Sequence, residues 1–391
     1  MAPGGAAGQP PSPGQPLPPG YGQAPPPGYG QAPPGHGQVP PGYGQVPPGY
    51  GQYGQPGQQP WGQQAPWAPP PPAPKPGIVP LRPLGVGELL DGALSLIRSN
   101  PRTVLGLAAV ISAVSALLQT VGLWFSLQFI EVAEPVAGSE VDVTAELTSL
   151  VSGGIAQVVP ALVAGFLQVL ASGLFIILVG AAVLGRRLDA GQTWASLRPR
   201  ILPLVGVTLL IGLGSILAVS VMFGVIVALA FAIGTWAVLP GLMIGVGGGI
   251  ALVYVYVRLS VASPALVMEG VGVVTSLTRS WALVRRSWWR VLGILILSAI
   301  ITSLLTTVVT VPITLIATLA SGFSESLVPT VLASGVATLV AGIITLPFSA
   351  AVTGLLYIDL RMRREALDIE LVSAGVQPSP DPLAAYRTPR P

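Results

Sequence analysis

The chain has 391 residues, of which 51% are hydrophobic and only 8% are charged, with a net charge of +3. Ordinary soluble domains are about 25% charged, so this composition excludes a water-exposed globular domain. The absence of cysteine excludes disulfides and cysteine-ligated metal sites. The single histidine, His36, argues against histidine-based catalysis or a zinc site. The small net charge gives no reason to expect nucleic acid as a partner.

The N-terminal region is a low-complexity segment, because the first 80 residues contain 26 of the 42 prolines and repeat the unit PPGYGQ. A segment so poor in aliphatic side chains cannot bury enough surface to offset its chain entropy. We therefore predict a disordered cytoplasmic tail over residues 1–77. The motif PPGY matches a PPxY ligand for aromatic-lined grooves at Tyr21, Tyr29, Tyr43 and Tyr50. Three interpretations stay open: a solubilising tail, weak self-association, and recruitment of an unknown protein partner.

The rest of the chain predicts an all-α, polytopic membrane protein with six transmembrane helices and amphipathic interfacial helices. A span needs about 20 residues, and the long uncharged stretches are 103–130, 147–185, 201–257, 291–324 and 326–358. The stretch 201–257 is long enough for two spans, with a turn near Gly234 to Gly241. In 147–185 we expect the span to begin after Pro160, over 161–184. The predicted domain covers 78–365, and a flexible cytoplasmic C-terminal tail is expected over 366–391.

The positive charges predict the orientation of these spans. All 18 Lys and Arg residues fall before 103, within 186–200 and 258–290, or after 358, which six spans place on one side. The opposite side carries six acidic residues and no basic ones. By the positive-inside rule, we expect a multi-pass plasma membrane protein with both termini in the cytoplasm. Membrane insertion alone explains the arginines, but contact with the lipid bilayer through anionic lipids stays open.

Two segments predict amphipathic helices at the membrane surface. In 86–98, Val86, Leu90, Ala93 and Ile97 share one face. In 273–290, an apolar stripe that includes Trp281 and Trp288 lies opposite the arginines. The residues predicted to be interfacial or lipid-facing are Arg98, Arg279, Trp281, Arg285, Arg286, Trp288, Trp289 and Arg290.

Three segments resemble one another: 94–106, 194–206 and 281–293. Each has a basic residue at its fifth position, Arg98, Arg198 or Arg285, and each ends in glycine. Each also precedes a pair of predicted spans. This pattern predicts three units of a short cytoplasmic helix followed by a transmembrane hairpin. The alternative is chance similarity among segments rich in Leu, Val and Arg.

Within the spans, Gly241, Gly245 and Gly249 form a GxxxGxxxG pattern, which predicts close helix packing and is compatible with an oligomer. A pore lining is the alternative interpretation. The centre of each predicted span is free of charged residues, which weighs against an ion-coupled transporter. Pro240, Pro312 and Pro347 predict broken or kinked helices that can expose backbone to a small ligand.

The runs IVPLRPLGVGELLDGALSLIRSNPRTVLGL (78–107) and VRLSVASPALVMEGVGVVTSLTRSWALVRRSWWRVLGIL (257–295) resemble actinobacterial proteins that carry the membrane domain of glycerophosphoryl diester phosphodiesterase. The resemblance covers about 78–365 and implies a six-span helical domain of unknown function. In other members this domain can precede a separate phosphodiesterase barrel. We expect no barrel here, since only 33 residues follow the last predicted span. The resemblance therefore implies no activity.

The function expected from these features is a non-enzymatic membrane-organising or scaffold protein that recruits partners through its cytoplasmic tail. The alternative is a transporter or permease-like subunit for a lipid-like or apolar solute, which predicts a cavity at mid-membrane. An enzyme is the third option, with Glu88, Asp91 and Glu269 as its best carboxylates. Pairing with Arg98, Arg279 or Arg285 explains these acids better. We predict no catalytic residue, no cofactor and no metal ligand.

Overall fold

A computed structural model describes residues 75–130, 143–324, 326–375 and 381–387. Residues 1–74 of the tail, with the four PPGY tyrosines, and the acidic connection 131–142 lie outside the described residues. In chain order the helices are α1 (Val86–Ser99), α2 (Pro101–Ile130), α3 (Val143–Val183), α4 (Ala190–Leu197), α5 (Ile201–Ile233), α6 (Val238–Leu259), α7 (Ala262–Glu269), α8 (Val273–Val284), α9 (Trp288–Ser324), α10 (Val328–Glu365) and α11 (Leu367–Gly375).

Five helical segments in the described part of the chain are long and apolar enough to cross a membrane. One of them, Ala190–Glu269, contains both α5 and α6, which are joined by a 3-10 turn at Gly234–Ala237. Gly234 ends α5 with a φ of 56°, a backbone conformation that glycine adopts without steric cost. The all-α polytopic membrane fold is confirmed, and the six predicted spans correspond to α2, α3, α5, α6, α9 and α10.

The prolines do not break the helices. We expected a helix to start after Pro160, but α3 continues through Pro160 over 41 residues. The ring of Pro160 fits against Gly122 of α2, where an added Cβ would lie 2.6 Å from Pro160 Cγ. Pro312 and Pro347 likewise lie inside continuous helices. Membrane helices tolerate proline because neighbouring groups satisfy the freed carbonyl. The helix start expected after Pro160 and the breaks expected near Pro312 and Pro347 were therefore wrong, whereas Pro240 lies in the first turn of α6, next to the break between α5 and α6.

The hydrophobic core lies at the arginine-rich end of the molecule, around the last turns of α10. Residues 350–362 are buried except Thr353, and they pack against α1, α3, α7 and α8. The short helix α7 enters this core and buries residues 264–268. Sequence analysis placed 258–290 in a cytoplasmic connection on the basis of its arginines and did not predict α7. By contrast, the most apolar stretch of the α5–α6 segment has none of its residues buried.

The two predicted interfacial helices differ from expectation in detail. Helix α1 has the expected bounds, but its buried face is formed by Leu89, Gly92, Ala93 and Leu96, which pack against protein. Val86 is 37% exposed. Helix α8 ends at Val284 instead of 290, so Trp288, Trp289 and Arg290 form the first turn of α9. Each of the two helices therefore packs one face against the protein core and leaves the other face exposed.

The helices pack in the order of the three predicted units. These units correspond to α1–α3, α4–α6, and α8–α10. The short helix expected near 190–198 is present as α4. The short helix of each unit packs on the second long helix of the unit before it, so that α4 packs on α3 and α8 packs on α6. The first unit follows the last one in this cycle, because α1 packs on α10. The long helices continue the cycle through the pairs α3–α5, α6–α9 and α10–α2. The pairs are unequal, because α10 packs closely on α2 whereas α6 and α9 make the sparsest contact of the three.

The C-terminal region is partly folded. Leu367 and Leu371 of α11 are buried, and so are Leu383 and Tyr386 in the segment 381–387. Arg361 Nη1 donates to the Tyr386 carbonyl at 2.9 Å, and the Tyr386 hydroxyl donates to the Gly180 carbonyl at 2.9 Å. The predicted flexible tail over 366–391 is therefore wrong for these two segments.

Candidate functional site

A buried carboxylate on α10 binds the segment before α1 and the first turn of α9 at the arginine-rich end. The Asp359 side chain is fully buried, and its carboxylate accepts hydrogen bonds from the Leu84 amide at 2.8 Å and from Arg363 Nε at 2.9 Å. Arg290 Nη2 lies 3.1 Å from the same carboxylate. Both arginines also donate to the Leu84 carbonyl, each at 2.7 Å. We call Asp359, Arg290, Arg363 and Leu84 the Asp359 cluster.

A second cluster, the Glu269 cluster, connects α7, α8 and α10. Its members are Glu269, Arg279, Tyr357, Arg361 and Glu365. Arg279 Nη2 lies 2.7 Å from Glu269 and its Nη1 lies 2.9 Å from Glu365, while Arg361 Nε lies 2.7 Å from Glu365. The Tyr357 hydroxyl donates to Glu269. Two cations and two carboxylates give this cluster no net charge.

The electrostatics of these groups favour a structural role. Burial lowers the pKa of Arg279, but hydrogen bonds and charges from Glu269 and Glu365 outweigh it and raise the pKa above its ordinary value. For Tyr386, burial raises the pKa of the hydroxyl, because the charged form is the one that burial disfavours. The hydroxyl therefore keeps the proton that it donates to the Gly180 carbonyl. The carboxylates are already bound to arginines, which leaves them poorly placed for proton transfer. No group of residues suited to a metal ion occurs in the described part of the chain.

An aromatic cluster forms where α6, α8 and α9 meet. Arg258, at the end of α6, is 7% exposed and lies 5.0 Å from the ring centroid of Tyr254 and 4.8 Å from that of Trp281. Its Nη1 donates to the Trp281 carbonyl at 3.0 Å. Trp288 packs between Tyr254 and Trp289, with centroid distances of 5.7 Å and 4.6 Å. Guanidinium stacking on aromatic faces therefore holds α6 against α8.

A groove opens between α6, α9 and α10, at the seam where α6 and α9 pack sparsely. Its volume is about 730 Å³, within the usual range for ligand sites. Hydroxyl side chains recur along α9 at Ser298, Thr302 and Thr306, one turn apart. The Thr302 Oγ1 atom is buried and has no hydrogen-bond partner among the described residues. The groove is lined by Val253, Tyr256, Val257, Leu292, Leu295, Ile296, Ser298, Ala299, Thr302, Ser303, Thr306, Thr307, Ser349 and Thr353.

A smaller groove of about 430 Å³ lies between α5 and α6. Apart from the Ser215 and Tyr256 hydroxyls its lining side chains are apolar, and the Ser215 hydroxyl is bound to the Ile211 carbonyl at 2.8 Å. The hydrogen-bonding groups of the larger groove can orient a bound molecule, whereas this one offers mainly an apolar surface. The groove between α6, α9 and α10 is therefore the candidate binding site.

Seven of the eight predicted interfacial residues divide into two groups, and the eighth, Trp288, is half-buried in the aromatic cluster. Trp281, Trp289, Arg98, Arg285 and Arg286 are exposed, as expected for a membrane surface. Arg279 and Arg290 instead point into the protein and bind the Glu269 and Asp359 clusters. Sequence analysis paired Glu269 with an arginine correctly, but expected that pair at the surface. The Glu269 side chain is only 8% exposed.

The glycine pattern on α6 is only partly used for packing. Gly241 approaches α5, where an added Cβ would lie 3.4 Å from Ile226. A Cβ at Gly245 or Gly249 would meet nothing within 4 Å, so these two positions make no close helix contact in the described part of the chain, and their packing in an oligomer stays a prediction. The tightest glycine contacts of α10 with α2 are at Gly335 and Gly342, where a Cβ would lie 2.2 Å from Thr120 and 2.4 Å from Ser112. Their seven-residue spacing was the available sequence signal.

The fold and the site define a multi-pass helical membrane protein. Two clusters of ion pairs connect the helices at its arginine-rich end, and a groove lies between α6, α9 and α10. Residues 84–360 match a family described as a domain of unknown function, DUF7847. The chain belongs to this family. No curated protein and no solved structure matches the chain significantly.

Proposed function

We propose that the protein is a non-enzymatic plasma membrane protein that binds a lipid-like or apolar solute within the membrane, as a transporter or permease-like subunit does. Its termini face the cytoplasm, in agreement with the sided distribution of arginines. The observation that carries this proposal is the groove of about 730 Å³ between α6, α9 and α10. A transporter predicts such a cavity, whereas a solid interior would have favoured a purely structural protein.

The position of the groove supports solute binding. Residues 350–362 of α10 are almost entirely buried in the core at the arginine-rich end. The groove lies instead along α9, where the most apolar 18-residue stretch has only 11% of its residues buried. A lipid-like molecule can therefore enter sideways from the bilayer without opening the core.

The chemistry of the lining indicates that the part of the solute inside the groove is uncharged. The described lining residues carry hydroxyl and apolar side chains and no ionised group. Such a lining offers hydrogen bonds to a solute oxygen from the hydroxyls that reach the groove.

A groove-filling substitution tests the proposal. Ala299 lines the groove and is exposed, so Ala299→Phe places a ring in the space that the solute needs. Ile300→Phe is the matched control, because Ile300 is 56% exposed and lies outside the lining. We expect Ala299→Phe to reduce co-purified lipid, measured by native mass spectrometry, at least tenfold, and Ile300→Phe to leave it unchanged. Equal lipid content in both variants would contradict solute binding in the groove.

Scaffolding through the tail is the second candidate function. It is supported by the four PPGY motifs at Tyr21, Tyr29, Tyr43 and Tyr50. The two functions are separable in the same experiment, because deletion of residues 1–76 removes the motifs and leaves the groove intact. Partner loss with unchanged lipid binding would support scaffolding in addition to solute binding. The resemblance to the membrane domain of glycerophosphoryl diester phosphodiesterase is compatible with either function.

A further inference from the structure

We propose that the groove holds one hydrocarbon chain of a phospholipid with a net negative headgroup, and that Arg285, Arg286 and Arg364 bind this headgroup. The inference rests on the proposed function, because it names the class of solute and its orientation. Its four supports are the length of the groove, the aromatic residues at one end, the arginines beside them, and the charge at the opposite end of the molecule.

The groove has the length of a lipid chain. Its lining on α9 runs from Leu292 to Thr307, which corresponds to about 22 Å at 1.5 Å per residue. One leaflet of a bilayer has a hydrocarbon layer of about 15 Å, half of the usual core. A chain that lies along α9 therefore fits within the groove from the membrane surface to beyond the bilayer centre.

Aromatic residues mark the end of the groove that lies at headgroup level. Trp288 precedes Leu292 by four residues and therefore lies on the same face of α9, one turn closer to the helix N-terminus. Trp289 is 79% exposed beside it. Tryptophan is enriched at the boundary between hydrocarbon and headgroups, so the groove opens at this boundary.

The arginines beside this end are not neutralised by the protein. Arg285 and Arg286 are exposed and immediately precede Ser287 and the first turn of α9, and neither takes part in an ion pair among the described residues. Arg364 lies beside them, with its Nη2 3.4 Å from Ser287 Oγ. By contrast, Arg279, Arg290, Arg361 and Arg363 have carboxylate partners. Three cations thus remain at the mouth of the groove, where they can donate charge-assisted hydrogen bonds to the phosphate of an anionic headgroup.

The charge of the opposite end fixes the orientation of the lipid. The connections at that end contain Glu131, Glu134, Glu140, Asp142, Glu146 and Glu325 and no basic residue. An anionic headgroup would be repelled there and attracted to Arg285 and Arg286. The lipid therefore enters with its headgroup toward the arginine-rich end and its chain toward the acidic end.

Native mass spectrometry of the full-length protein in mild detergent tests this inference, with phosphatidylglycerol and phosphatidylcholine of identical chains added in equal amounts. We expect preferential retention of phosphatidylglycerol. The double variant Arg285→Gln, Arg286→Gln should lower this preference about thirtyfold, since each arginine near a headgroup contributes about fivefold. The control Arg98→Gln, Arg102→Gln removes the same charge from exposed positions on α1 and α2, which do not line the groove, and should keep the preference.

The outcomes separate this inference from the proposed function. If Ala299→Phe abolishes retention but the wild-type protein holds both lipids equally, the headgroup inference is overturned and solute binding in the groove stands. If both double variants lower the preference equally, the effect is general surface charge, and the inference is again overturned. If Ala299→Phe changes neither lipid, the groove is not the site, and both the inference and the proposed function fail.

Discussion

At the scale of single residues, the most consequential group is Asp359, because it has no exposure and three charged or backbone partners. Its carboxylate receives the Leu84 amide, Arg290 and Arg363. A buried ion pair is not stabilising merely by existing, since desolvation offsets much of the attraction. Removal of the carboxylate is costly, however, because Arg290 and Arg363, whose side chains are 30% and 34% exposed, then lose their charged partner.

We therefore expect Asp359→Asn to lower the free energy of unfolding by about 1–3 kcal/mol, since solvent compensates part of the charge on the two half-buried arginines. The substitution keeps the shape of the side chain and removes the charge that faces two arginines. Thermal unfolding in detergent measures the loss. The matched control is Asp91→Asn, an exposed carboxylate on α1, which should change stability by less than about 0.5 kcal/mol. A similar melting temperature for both variants would show that the Asp359 cluster does not hold the fold together.

At the scale of helices, close packing depends on where glycine meets a neighbour. Gly335 and Gly342 lie seven residues apart on α10 and face Thr120 and Ser112 of α2. Gly245 and Gly249 on α6 face open space, although their spacing fits the small-residue pattern better. A spacing rule thus identifies a candidate surface, and only the partner helix decides whether that surface is used.

This difference predicts opposite effects of the same substitution. Gly342→Val should destabilise the protein by about 1–3 kcal/mol, because the new side chain must separate α10 from α2. Gly245→Val should be neutral or slightly stabilising, since it meets no atom and replaces a poor helix former. Thermal unfolding of the two variants in the same detergent compares them directly. Greater damage from Gly245→Val would mean that α6 packs against a partner through this face, as in an oligomer.

Sequence analysis predicted the number, order and approximate bounds of the long helices, because uncharged length and hydropathy determine a membrane span. It missed α7, since a buried eight-residue helix has neither the length of a span nor an exposed polar face. It also placed Arg279 and Arg290 at the surface, because Glu365 and Asp359, which bind them, lie 86 and 69 residues away in the chain. The pairs Asp359–Arg363 and Arg361–Glu365, spaced four residues apart, were a readable signal of these clusters.

The candidate groove was less predictable than the fold. The hydroxyl residues of α9 were visible in the sequence, but serine and threonine often bond their own helix carbonyls, as Thr314 does with Thr310 at 2.9 Å. Nothing in a single helix shows which neighbour will pack loosely against it. The gap depends on the sparse contact between α6 and α9, which is a property of three helices together.

At the scale of the whole molecule, the sidedness of charge predicts the topology, and the lack of native cysteine makes that topology easy to measure. Single cysteines at Ser139 and Ala195 would report on opposite sides of the membrane. In intact cells, a membrane-impermeant maleimide should label Ser139→Cys, whereas Ala195→Cys should react only after permeabilisation. Labelling of Ala195→Cys in intact cells would place the arginine-rich end outside and contradict the proposed orientation.

The Asp359 cluster also has a consequence for the order of assembly during synthesis. Leu84 and Asp359 are separated by 275 residues, and α10 is the main partner of α1 and an extensive partner of α2. The first hairpin must therefore wait in the bilayer, with the α2 surface around Ser112 and Thr120 open to lipid, until α10 has been inserted. Contacts so distant in sequence form late and slowly. Any interruption of synthesis before residue 359 would thus leave membrane-inserted helices that have no core to join.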